Sequence, residues 1–255
     1  MTVHKVSANA SVNEAERTAN FWVFGGIFRP VFLEAYPAEH LARLALDAKA
    51  DGSLRIDAYL AGIQNATTVQ AQVKTRAGQP VGPPFTAPVA PGSAQVQLRG
   101  QFASPALWSP EFPNLYRVEV TLKNGATALH SATETFGFRT VELRRRDGFY
   151  VNGQKIMFKG VNRGGFWPTS GRTTSRRISE LDVNLIKDMN MNMNAVRMSH
   201  HPPDALFLQV CDSLRLFVID ELNMSNGTVP CIILALARAR TVAGAGSPAL
   251  LSEAW

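Results

Sequence analysis

The sequence predicts a multidomain chain of β plus α/β class, in which an immunoglobulin-like β-sandwich is followed by the opening of a parallel α/β sheet. Three observations carry this. Between residues 38 and 139, apolar and polar side chains alternate in short runs divided by Gly- and Pro-rich turns. After Arg139, continuous apolar runs alternate instead with segments of helical spacing. A chain of 255 residues that is 45% hydrophobic and 18% charged is also long enough to bury such cores.

Residues 1 to 20 are polar and patternless, and "FWVFGGIFRPVFLEAYP" then reads as a strand, a glycine turn and a second strand ending at Pro37. Two strands alone are marginal in water, so Trp22, Phe24, Phe28 and Phe32 need another surface. "LARLALDA" and "SLRIDAYL" read as a hairpin through Asp51-Gly52, with Leu54, Ile56, Ala58 and Leu60 on its inner face. "TVQAQVKT", "AQVQLRGQF", "LYRVEVTL" and "ALHSATETFGFR" continue the pattern, giving about seven short strands in about 100 residues, the spacing of an immunoglobulin-like sandwich.

Beyond Arg139, the apolar run Ile156 to Val161 reads as a strand. "SRRISELDVNLIKDMN" reads as a helix from the spacing of Ile178, Leu181, Leu185 and Met189. "NAVRM" is a second strand, "PDALFLQVCDSL" a second helix and "LFVID" a third strand. Strands that are apolar throughout belong to a parallel sheet buried on both faces, either the first third of a barrel or half of a doubly wound sheet. The 33 residues after Leu222 do not repeat this rhythm.

The formal charge of +6 is spread thinly, and no aromatic interleaving or recognition motif accompanies "RRR" at 144 to 146, so no nucleic-acid partner is expected. Cys211 and Cys231, without a neighbouring His cluster, indicate neither a disulfide framework nor a zinc site. No membrane partner is expected, since no signal peptide or spanning segment is legible. Compartment and oligomeric state stay open, and no cofactor or metal is predicted.

Ligands of parallel α/β sheets bind beyond the carboxyl ends of the strands. That singles out Asn162 with Arg163, the stretch Arg197 to His201, and Asp220 with Glu221. Arg197 lies in an apolar strand and needs a partner, which is either a substrate-side group or a structural carboxylate such as Asp220 or Glu221. His200 precedes a strand-breaking His-Pro-Pro and is either a substrate contact or a structural histidine. Asp220 and Glu221 are adjacent on a strand, so they point to opposite faces and cannot act as a couple. Trp167 in "GGFWPTSG" is either a sugar platform or a plug over the core.

In "GGIFRPVFLEA", "LWSPEFPNLYRVEVTL", "ETFGFRTVEL", "FYVNGQKIMFKGVNR", "NAVRMSHHP" and "CDSLRLFVIDE" the chain resembles glycoside hydrolase family two, the β-galactosidases, β-glucuronidases and β-mannosidases. The resemblance implies a jelly-roll remnant over 1–37, the sandwich over 38–139, the first three strands of a TIM (β/α)8 barrel over 140–222, and a divergent tail over 223–255. It implies a β-linked glycoside as substrate, cleaved with retention by two glutamates about 5 Å apart. It places those glutamates on the fourth and seventh barrel strands, and the Asn-Glu motif of the fourth strand does not occur after Leu222.

By the same resemblance Arg197 steadies the nucleophile, His200 touches substrate hydroxyls, and Asn162 and Asp220 lie on the cleft floor. The stretch Asn223 to Gly227 lacks the Glu and His with which some relatives hold magnesium. The chain is therefore expected to be an inactive fragment of a retaining β-glycosidase, truncated at both ends. The alternative is a non-catalytic sandwich module that binds carbohydrate or protein.

Overall fold

The computed structural model describes residues 2–6, 8–18, 25–189, 193–199 and 201–220. Ala10–Thr18 forms helix α1, in a stretch whose sequence carries no clear periodicity. The strand expected to end at Pro37 does not form: residues 25–37 hold no strand, and Val31, Phe32 and Leu33 are exposed at 67%, 68% and 103%. An apolar run becomes a strand only where a neighbour takes its backbone hydrogen bonds, and among the described residues none pairs here. Trp22 and Phe24 lie outside the described residues.

Seven strands follow: β1 (His40–Ala48), β2 (Ser53–Ala61), β3 (Thr68–Thr75), β4 (Phe85–Pro88), β5 (Gln95–Gln101), β6 (Tyr116–Asn124) and β7 (Thr127–Phe136). They form two antiparallel sheets, β1-β2-β5 and β4-β3-β6-β7. The inner residues are those the alternation predicts, with Leu54, Ile56 and Ala58 on β2, Val69, Ala71 and Val73 on β3, and Val118, Val120 and Leu122 on β6 at 0–1% exposure. The short β4 was hidden by its prolines, which an edge strand tolerates because its outer side has no ladder to complete. Just before β1, Glu39 accepts hydrogen bonds from the backbone N–H groups of Gln64, Asn65 and Ala66 at 2.8–3.0 Å, pinning the turn between β2 and β3.

By their contacts the described residues of Tyr36–Ser104 and Tyr116–Phe136 make one compact unit, and those of Met1–Ala35, Pro105–Leu115 and Gly137–Arg238 make another. The second unit continues with β8 (Val141–Arg144), β9 (Gly148–Val151), β10 (Gln154–Ile156), β11 (Gly160–Arg163), α2 (Arg176–Asp188), β12 (Ala195–Met198), α3 (Ala205–Leu214) and β13 (Phe217–Ile219). An antiparallel sheet β10-β9-β8 turns at Asn152-Gly153. A parallel sheet β11-β12-β13 carries the strand-helix alternation. The first parallel strand thus starts at Gly160, later than the apolar run at Ile156 suggests. Its glycine is required: a Cβ there would lie 2.1 Å from the Ala195 carbonyl oxygen.

One face of the parallel sheet packs on the helices through Val196, Met198, Val218, Val183, Ile186, Phe207 and Val210. On the other face Ala195 and Phe217 meet Trp108, Leu115 and Val151. Trp108 is fully buried, and its indole Nε1 donates to the Asp212 carbonyl at 2.9 Å. Gly137 lets this ring in, since a Cβ at 137 would stand 2.7 Å from the Trp108 Cβ.

Candidate active site

The parallel sheet sets two kinds of side chain at its carboxyl ends. Val161 and Arg163 alternate toward the helices, as do Val196 and Met198, so Asn162 and Arg197 fall on the opposite face. In register Asn162 stands opposite Arg197, and Arg197 opposite Ile219. The Arg197 guanidinium Nη1 donates to Asn162 Oδ1 at 3.3 Å. Asn162 is exposed and Arg197 half-buried, so the pair forms a polar step just above the apolar Ala195 and Phe217.

Arg163 points the other way. It is 8% exposed, its Nε and Nη2 reach Asp182 Oδ2 at 2.7 and 2.6 Å, and its guanidinium lies 4.1 Å from the Phe207 ring centre. A buried guanidinium needs this compensation. The adjacent residues Asn162 and Arg163 therefore divide the labour, one facing the cleft and the other tying β11 to α2 and α3. Sequence reasoning did not separate them, and the signal it passed over was Asp182, a carboxylate one helical turn from the apolar Ile178 and Ile186.

Asp220 directly follows β13 and is half-buried. β13 ends at Ile219, one residue before Asp220. His200 and Glu221 lie outside the described residues. On either side of His200, the Ser199 N–H donates to the Arg163 carbonyl at 2.9 Å, and the carbonyls of Pro202 and Pro203 accept from Arg29 at 2.8 and 3.0 Å. Arg29 also stands 3.4 Å from Asp204, whose carboxylate caps α3 at Leu206. The described site is thus built by Asn162 and Arg197, with Asp220 one residue beyond their register.

The loop after β11 is closed by reciprocal backbone hydrogen bonds between Trp167 and Gly171 at 2.7 and 2.8 Å, which hold Trp167 half-buried and leave Phe166 exposed. On the far side of α3, Arg139 lies 4.5 Å over the Trp108 ring and 3.4 Å from Asp212. Burial pushes the Asp212 carboxyl up to about 6 against the opposing pull of Arg139. Among the described residues no three His, Cys, Asp or Glu side chains come together as a metal site. The chain's one Asn-Glu dipeptide, Asn13-Glu14, sits in α1 and not at the end of a parallel strand.

Two family models match the chain. That described as "Glycosyl hydrolases family 2" covers residues 40–139, and that described as "Glycosyl hydrolases family 2, TIM barrel domain" covers 141–241, running past Leu222. A β-galactosidase of Lactobacillus delbrueckii subsp. bulgaricus is 36% identical over 216 residues, which are 82% of this chain and 21% of the relative. Among solved structures, a β-glycosidase from Bacteroides vulgatus superposes with a TM-score of 0.69 at 25% identity, over 79% of this chain and 26% of that one. Bacteroides uniformis β-glucuronidase 3 does so with a TM-score of 0.68 at 25% identity, over 80% and 26%. The chain therefore spans about a fifth to a quarter of the length of these proteins.

Proposed function

The chain belongs to glycoside hydrolase family 2, and from that premise we propose that it forms one wall of the sugar pocket of a retaining β-glycosidase and carries neither of the two catalytic glutamates. The single observation behind this reading is the Asn162–Arg197 pair, set side by side at the carboxyl ends of parallel strands where such sheets bind ligands.

In this reading Arg197 holds a carboxylate nucleophile in its ionised form and fixes its orientation, a task for which a guanidinium fork is suited. Asn162 presents the guanidinium by taking one N–H, and its own amide N–H2 stays directed to a sugar hydroxyl. His200 and Asp220 supply further hydroxyl contacts. Retention requires two carboxyls about 5 Å apart, one a nucleophile and one an acid/base. No Asn-Glu pair follows β13 in the sequence, and the shares of the relatives covered are small.

The purified chain, incubated with chromogenic β-galactoside, β-glucuronide, β-mannoside and β-glucosaminide, is accordingly expected to release no chromophore above the buffer rate. Release that scales with protein concentration from any one of them would overturn the reading.

A further inference from the structure

The outer face of the sheet β1-β2-β5 carries a charge pattern that the fold does not need. Arg55 stands directly opposite Arg99 in antiparallel register. Like charges so placed repel and destabilise a sheet. Among the described residues the usual remedy, a carboxylate for each, is incomplete. Arg55 is 3.8 Å from Asp47 and 3.6 Å from Asp57, but Arg99 gives its Nε and Nη2 to the neutral Gln97 Oε1 at 3.0 and 2.6 Å.

These two arginines line a cavity of about 420 Å³ together with Lys49, Ser53, Gln101 and Asp47. Among the described residues Asp47 is the one carboxylate in that lining, and it is already engaged by Lys49 at 2.9 Å. Among the described residues, three cations line this concavity beside one lining carboxylate, with Asp57 reaching Arg55 from outside the lining and Arg99 paired only to the neutral Gln97.

We infer that this face of the sandwich is a binding site for an acidic oligosaccharide, whose uronate carboxylates bridge Arg55 and Arg99. Strands lie ~4.8 Å apart, so neighbouring guanidinium forks are placed to share one carboxylate or take two successive ones. The surrounding Gln97, Gln101 and Ser53 are donors and acceptors suited to sugar hydroxyls. Nucleic acid fits less well, because base stacking needs an open aromatic face. Tyr59, the aromatic on this surface, is covered by the Arg43 guanidinium at 3.7 Å. The inference concerns the sandwich unit alone, and it stands or falls independently of the pocket formed by Arg197.

The test is calorimetric titration of the full 255-residue chain at low ionic strength with oligogalacturonate. Its methyl ester, inorganic sulfate and a single-stranded oligonucleotide serve as comparison ligands. Saturable binding of the acid, at least about tenfold weaker for the ester and for Arg99→Gln, is the expected result, tenfold being the size of one charge-assisted hydrogen bond. Arg99→Gln and Arg55→Gln remove a repulsion, so each is expected to keep or raise the melting temperature. No binding, equal binding of the ester, equal or tighter binding of sulfate or oligonucleotide, or an unchanged affinity in both variants would overturn the site. A lowered melting temperature would mark the arginines as structural and overturn it too.

Discussion

Arg197 and Asn162 stand opposite each other on neighbouring parallel strands, and the guanidinium donates to the amide oxygen across 3.3 Å. Asn162 is exposed and Arg197 half-buried, so the bond holds orientation more than it holds the fold. Asn162→Ala is expected to cost only about 0.5–1.5 kcal/mol in urea denaturation, the worth of one hydrogen bond. A loss several times larger would make this pair a structural pin and remove it from the cleft.

Arg163 and Asp182 are expected to behave in the opposite way. Asp182→Ala leaves a guanidinium that is 8% exposed without its carboxylate, and should cost about 3–5 kcal/mol. Replacing both with apolar residues, Arg163→Met with Asp182→Leu, should recover most of that loss. Denaturation of the two singles and the double gives the cycle directly, and additivity would deny the coupling.

Trp108 fills the centre of the cluster with Phe217, their ring centres 5.5 Å apart. Trp108→Ala should destabilise the second unit by about 3–5 kcal/mol, the usual cost of deleting a buried aromatic. Gly137→Ala should approach the same loss, because its Cβ would meet Trp108 at 2.7 Å. Near-ultraviolet circular dichroism and denaturation midpoints check both.

Acid should act on the two units in opposite senses. Backbone hydrogen bonds from Gln64 and then Ala66 hold the Glu39 carboxyl down to about 2 from 4.5. Its contribution is present above about pH 4.5 and lost as pH falls toward 2, so Glu39→Gln should flatten the sandwich's acid limb. Burial raises Asp212 from 3.8 to about 6, so its contribution is full below about pH 4 and is lost as pH rises through 6. Asp212→Asn should abolish that slope in the second unit. Thermal melts from pH 3 to pH 8 separate the two effects.

The sandwich was legible because period two is a local property: β2, β3 and β6 each bury the residues their alternation marks, while in β1 a register shift between Leu41 and Arg43 brings both Leu41 and Leu44 inside. The segment 25–37 was over-read because its apolar content says nothing of whether a neighbour exists. Helix α2 was legible in position but not in orientation. Leu181, Leu185 and Met189 are 42–53% exposed, and Ser179, Val183 and Ile186 are buried. Asp182 lies on that same buried face, at i+3 from Ser179, and its pairing with Arg163 turns the helix against the plain hydrophobic count. At the site, the polar strand ends were visible in sequence. The meeting of Asn162 with Arg197 was not, since it depends on parallel register across 35 residues of chain.

The most direct test of the proposed pocket wall is intact-mass spectrometry of the chain after incubation with activated 2-deoxy-2-fluoro β-glycosides, which trap the nucleophile of a retaining glycosidase as a stable ester. The account predicts an unchanged mass with every sugar, because in the proposed reading the chain carries neither of the two catalytic glutamates. A stoichiometric glycosyl adduct on any Asp or Glu of the chain would contradict it.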